Sequence, residues 1–184
     1  QALALVSAVD YTADPLWKGL GRLEWRRIWD SDATLINEQQ DSWLSTLVVA
    51  RKLDLNWTAL ARNYFLWADF AATGSRWQDR FQIGMAYRDT DRNRVNALAK
   101  YEFLTENDRS ALPTALVGTG ANPSKRAVNV VSLLADWHPS RPWWLTGRIA
   151  GKSAAETFDG VDVPRYSAGL LSGRAVYDVT ERFD

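Results

Sequence analysis

The sequence predicts an all-β fold: one antiparallel, up-and-down transmembrane β-barrel domain over 1–184, with about nine strands in this chain as part of a slightly larger barrel. Three observations predict it. The first is rhythm. Runs of alternating polar and apolar residues are separated by breaks at 12–16, 30–42, 53–56, 71–77, 89–94, 105–126, 138–142, 153–165 and 180–184, alternately short and long. A membrane barrel has that rhythm because its strands meander between short periplasmic turns and longer outside loops. The second is length: most runs are 10–14 residues, whereas soluble strands average ~5–6 and a tilted membrane-spanning strand needs ~9–11. The third is the gathering of tryptophan at the run ends.

In chain order the expected strands are 2–11, 17–29, 43–52, 57–70, 81–88, 95–103, 127–137, 143–152 and 166–179. The period is two throughout, not 3.6. The stretch 81–88 is the clearest, with Phe81, Ile83, Met85 and Tyr87 facing one way and Gln82, Gly84, Ala86 and Arg88 the other. In 95–103, Val95, Ala97, Ala99, Tyr101 and Phe103 oppose Asn96, Leu98, Lys100 and Glu102. In 43–52 and 127–137 both faces are apolar, so alternation alone assigns no inside. The segment 58–66 echoes 96–104 at a spacing of 38 residues, either as an internal duplication or as two strands under one constraint. Pro113, Gly118, Gly120 and Pro123 mark 112–124 as an exposed loop.

Tryptophan is abundant, ten residues against one methionine and one histidine. Trp17, Trp57, Trp137, Trp143 and Trp144 lie beside short turns; Trp29, Trp43, Trp67 and Trp77 lie beside long loops; only Trp25 falls inside a run. Two such groups are expected to form aromatic girdles at the two water–lipid interfaces. By alternation Arg22, Glu24, Arg26, Lys52, Arg62, Arg88, Lys100, Glu102, Asp136, Arg148, Lys152, Arg174 and Asp178 share the inside face. Unpaired burial of such charges costs several kcal/mol each. They therefore face water, pair with each other, or do both, which a barrel lumen allows and so does the wet face of an ordinary sheet. Nine of the thirteen are basic, so an open lumen is expected to favour anions.

The 22 basic and 22 acidic residues cancel, and no global field draws nucleic acid or an anionic surface. Without cysteine there are no disulfides and no thiolate metal sites. No run reaches the ~20 apolar residues of a membrane helix. The apolar start at 2–9 lacks a basic leader and cleavage site, so the chain reads as mature or as cut from something longer. His138, the sole histidine, shares a face with Asp136 and Ser132, but strand rise spreads Ser132 and His138 over ~20 Å, too far for a catalytic triad. The turn 89–93 (DTDRN) lacks the following Gly and distal Glu of a calcium loop and reads as an Asx-rich hairpin turn. Ser124, Lys125 and Arg126 are too small a patch for nucleic acid.

With these residues in view, the chain resembles the C-terminal barrel region of large bacterial outer-membrane proteins that carry long repetitive surface domains. The matching stretches are GRLEWR at 21–26, WLSTLVVARK at 43–52, RFQIGMAYRDTDR at 80–92, HPSRPWWLTG at 138–147 and LSGRAVYD at 171–178. The resemblance covers most of the chain and implies an outer-membrane barrel, with no catalytic residues and no cofactor to carry over. The family's barrel continues further and ends on an aromatic-rich strand, whereas this chain stops at Asp184 on what reads as another short turn. At least one more strand is therefore expected beyond it, which also makes the strand number even.

The expected function is non-catalytic: a membrane anchor or porin-like channel in a Gram-negative outer membrane, short turns periplasmic and long loops extracellular. The expected partners are outer-membrane lipid, the barrel assembly machinery and a covalently linked surface domain, with no nucleic acid. The rival is a soluble all-β carbohydrate-binding module using exposed Trp, which calls for Trp on one sheet face and not at both strand ends.

Overall fold

The computed structural model describes residues 1–29, 39–71, 74–109 and 124–179. Most of the expected loops 30–42 and 105–126, the stretch bearing Pro113, Gly118, Gly120 and Pro123, and the terminal 180–184 lie outside the described residues.

Nine strands form one sheet in chain order: β1 (Ala2–Tyr11), β2 (Trp17–Ile28), β3 (Gln40–Lys52), β4 (Trp57–Phe70), β5 (Gly74–Arg88), β6 (Val95–Asp108), β7 (Ser124–Trp137), β8 (Trp143–Phe158) and β9 (Val161–Tyr177). Every neighbouring pair is antiparallel. The up-and-down meander is as expected; closure is not present. Among the described residues β1 pairs only with β2 and β9 only with β8, so the sheet is open. With nine strands, both edge strands run in the same direction.

Three short turns are organised by an aspartate that accepts backbone N–H groups: Asp14 from Leu16 (2.7 Å), Asp54 from Asn56 and Trp57 (both 2.7 Å), and Asp89 from Arg92 (3.1 Å) and Arg94 (3.4 Å). Two expected long loops are corrected. The break at 71–77 shrinks to 71–73 because β5 already begins at Gly74. The break at 153–165 is only the turn Asp159–Gly160, with φ of 52° and 77°. An Asp-Gly pair with both residues left-handed is the tight hairpin turn whose twist suits antiparallel strands. The short–long rhythm thus fails at these two connections, while the strand bounds leave 29–39 between β2 and β3 and 109–123 between β6 and β7.

The register staggers the hairpins in one sense. A ladder row through Trp17 runs Arg51, Ala59, Met85, Ala99, Leu133, Ile149 and Leu171. It meets β2 at its first residue, β4 at its third, β6 at its fifth and β8 at its seventh. One residue of slip per strand, at ~3.3 Å rise and ~4.8 Å spacing, tilts the strands by about 35° from the line joining the short turns. Closed barrels need such a shear.

Candidate functional site

The sheet is a single layer, and its two faces differ in chemistry. Ladder partners share a face, so the register also resolves β3 and β7, where alternation alone did not. On one face lie Leu47, Ala59, Ala61, Ile83, Met85, Ala99, Leu133 and Ile149. Many of its large side chains are bare: Leu47 is 54% exposed, Ile149 58% and Leu171 80%. The buried residues Glu24, Ala68, Val128 and Ala154 all sit on the opposite face, the crowding expected where a sheet curls toward that side.

At the short-turn edge of the apolar face, Tyr11, Trp17, Trp57, Tyr87, Trp137, Trp143 and Tyr177 follow the stagger and form one belt. Trp57 packs on Tyr87 and Trp143 on Tyr177, both at 4.9 Å. The Arg51 guanidinium lies 4.9 Å over Trp17. Toward the other edge, Trp25, Trp43, Phe65, Trp67, Trp77, Phe81 and Phe103 form a second belt across β2 to β6. Trp25 and Trp43 meet at 6.3 Å. On β7 to β9 that level is held by Asn129, Ser153 and Ser167.

Between the belts the apolar face carries no Asp, Glu, Lys or Arg among the described residues. Ser7, Ser45 and Asn63 are polar members of this face, and Asn63 donates to Asp79 (2.6 Å), which stands within the second belt. Trp17 and Trp25 are eight residues apart and Trp57 and Trp67 ten. At ~3.3 Å per residue and a tilt of about 35°, the belts are ~22–27 Å apart.

Sequence reasoning missed that Trp25 belongs to this array, although its odd numbering puts it in step with Trp17 and Trp29. Trp29 follows the end of β2, and the Arg27 guanidinium lies 5.6 Å from Trp25 and 5.9 Å from Trp29. Trp144 departs from its expected place: in register with Val176 it lies on the charged face, where it stacks on His138 at 4.7 Å. Two adjacent strand residues point opposite ways, so Trp143 and Trp144 cannot share a belt.

The other face collects the charge. It holds Arg22, Glu24, Arg26, Lys52, Arg62, Arg88, Lys100, Glu102, Asp136, Arg148, Lys152 and Arg174. Asp178 follows β9, its N–H donating to Pro142 O (2.8 Å). Lys18, Arg76, Arg80 and Arg126 join it, as do Asp10, Glu106, Asp108 and Glu156, so the expected basic excess is unchanged. Pairing is local. Glu24 takes Arg22 (2.8 Å) and Arg26 (3.0 Å); Glu102 takes Arg80 (2.7 Å), Gln82 (2.6 Å) and Lys100 (3.6 Å); Glu156 takes Arg126 (2.9 Å). Arg76 bonds Glu106, and the Lys152 ammonium lies 5.2 Å over Tyr166.

No triad forms around His138. Asp136 accepts the Thr146 hydroxyl (2.7 Å), His138 is stacked on Trp144, and Ser132 lies ~13 Å from Asp136 at strand rise. In the turn at 89–94 the Asp89 carboxyl is held below its ordinary range, chiefly by the Arg92 N–H, then by the Arg94 and Asp91 N–H groups and the Arg92 charge, against a smaller opposing effect of desolvation. The chain matches no family model, no curated protein and no solved structure.

Proposed function

We propose that this chain is the wall of an outer-membrane β-barrel of the Gram-negative type, serving without catalytic chemistry as a membrane anchor or porin-like channel. One observation carries the reading: a charge-free apolar band ~22–27 Å tall on one face of a single-layer sheet, bounded by an aromatic belt at the short-turn edge and by a second across β2 to β6. A bilayer's apolar band on such barrels is ~25 Å tall and flanked by aromatic girdles. The stagger supports it, since about 35° lies at the low end of barrel strand tilts. On this reading the short turns are periplasmic and the charged face lines the lumen.

The exposed apolar area argues the same way. A water-soluble domain buries its apolar sheet face beneath a second layer, and among the described residues none covers this one. The carbohydrate-binding rival has one observation in its favour, since Trp17 to Trp143 do share a face. Their split into two belts with no charge between them favours lipid, because a sugar-binding face needs polar groups interleaved with its aromatics.

Because β1 and β9 run in the same direction, antiparallel closure requires an odd number of further strands between them. That total separates anchor from pore: a barrel of ~8–10 strands fills with its own side chains, while a wide one leaves a channel. The chain should be extracted only by detergent and should migrate differently on gels before and after boiling. A monodisperse, folded β protein obtained without detergent would defeat the proposal.

A further inference from the structure

On the charged face one row of cations sits at a single level. Arg22, Arg62, Lys100 and Arg148 are each five residues after the first residue of their strand, Trp17, Trp57, Val95 and Trp143. The one-residue stagger per strand brings those strand starts onto one line, so the four cations also lie on one line. Arg174, three residues before the end of β9, stands about one residue below it.

The members of the row differ in what neutralises them. On β2 and β6 the residue two further along is a carboxylate, and Glu24 and Glu102 pair with Arg22 (2.8 Å) and Lys100 (3.6 Å). On β4 and β8 that position holds Tyr64 and Ala150. Arg62 and Arg148 accordingly form no ion pair among the described residues.

Arg62 also borders a polar cavity of about 230 Å³, lined by Arg62, Tyr64, Gln78, Arg80 and Gln82. Each of those side chains can donate hydrogen bonds, and no carboxylate lines the cavity. Of the lining residues Glu102 engages Arg80 and Gln82, and outside the cavity it pairs with Lys100. On the short-turn side Arg62 borders a largely apolar hollow formed with Val48, Leu60, Leu98 and Gly84, which Gln82 and Lys100 also line. That shelf lowers the local dielectric beneath the guanidinium and strengthens any charge interaction above it.

We infer that the cavity at Arg62 is a binding site for a single oxyanion, a phosphate group or a carboxylate, and that the cation row makes it the anion-selective level of the lumen. The guanidinium fork of Arg62 supplies paired donors matched to two oxygens of such an anion. Tyr64, Gln78 and Gln82 supply neutral donors around it, and Arg80, half neutralised by Glu102, supplies a second charge. The lumen assignment rests on the barrel reading; the anion site rests only on the side chains of this face.

The test is inorganic phosphate binding to the intact chain, folded in detergent micelles and followed by broadening of the phosphorus NMR line. The native chain should broaden the line saturably, with chloride competing. Arg62→Gln should weaken binding at least ~10-fold and Arg62→Lys less, since the lysine keeps the charge and loses the fork. Glu102→Gln should tighten it by releasing Arg80. Arg88→Gln, which removes equal charge at the short-turn end, should leave binding unchanged.

The inference is overturned if native chain leaves the line sharp, if both Arg62 variants bind as the native chain does, or if Arg88→Gln weakens binding as much as Arg62→Gln. Should Arg62→Gln fail to show the boiling-dependent gel shift, Arg62→Lys decides. Phosphate binding by a chain that folds without detergent would retain the site and remove the lumen, so the two readings fail separately.

Discussion

Glu102 shows how a charged sheet face is held in register by single residues. Its carboxylate accepts from Arg80 on the neighbouring strand and Lys100 on its own, with Gln82 as a third donor. Its side chain is only 12% exposed, while Arg80 is 49% exposed. Glu102→Gln should therefore lower unfolding free energy by about 1–2 kcal/mol in a denaturant titration, because the cations keep their charge while the carboxylate becomes an amide with one neutral acceptor oxygen. Asp89 makes a pH-dependent counterpart in a turn. Its folded carboxyl lies below the free value, so its contribution is complete above the usual Asp value near ~3.9 and is lost as pH falls through the lower folded value. The Arg92 and Arg94 amide signals should titrate with a midpoint below ~3.9; a midpoint at or above that value would contradict the turn geometry. The Asx turn at Asp89 and every charged-face strand residue taken from alternation were legible in the sequence. Trp144 was misplaced because nearness to a turn says nothing about which way a side chain points.

At the scale of strands, legibility stopped where the environment stopped differing between faces. Alternation marks a strand only while one side meets apolar surroundings and the other meets water. The start of β5 and the ends of β6 and β8 carry charge or polar groups on both faces, among them Arg76, Asp79, Glu106, Asp108 and Glu156. On the barrel reading these are ends that stand clear of the bilayer, wet on both sides, and their strand character leaves no period to read. The Asp159–Gly160 turn did leave a signal in the sequence, the Asp-Gly pair itself. Gly160 at φ 77° is left-handed, so Gly160→Ala should cost about 1–2 kcal/mol of hairpin stability. Amide exchange at the β8–β9 turn reads this directly, and unchanged protection would refute the turn type.

At the scale of the molecule, nine strands, their order and their antiparallel sense could all be read from the sequence. The stagger could not, because register is set by pairing between strands and not by any one run. The expected barrel was slightly larger than this chain, and the nine strands form an open sheet. The stagger is nevertheless what aligns the two aromatic belts and the cation row, so it links the lipid-facing and lumen-facing halves of the account. Charge placed in the band should be costly: Ile83→Arg should destabilise the lipid-embedded chain by ~2–4 kcal/mol, while Gln82→Arg next to it should change little.

On the proposed reading the apolar face meets lipid and the charged face meets water. The chain has no cysteine, so single cysteines carrying a nitroxide can be placed along β5 and β6 in lipid vesicles. Labels at Phe81, Ile83, Met85 and Ala99 should collide with oxygen and be shielded from a water-soluble nickel chelate, while labels at Gln82, Ala86 and Leu98 should avoid oxygen. Loss of that alternation, with the chelate reaching both sets alike, would contradict a membrane-spanning sheet.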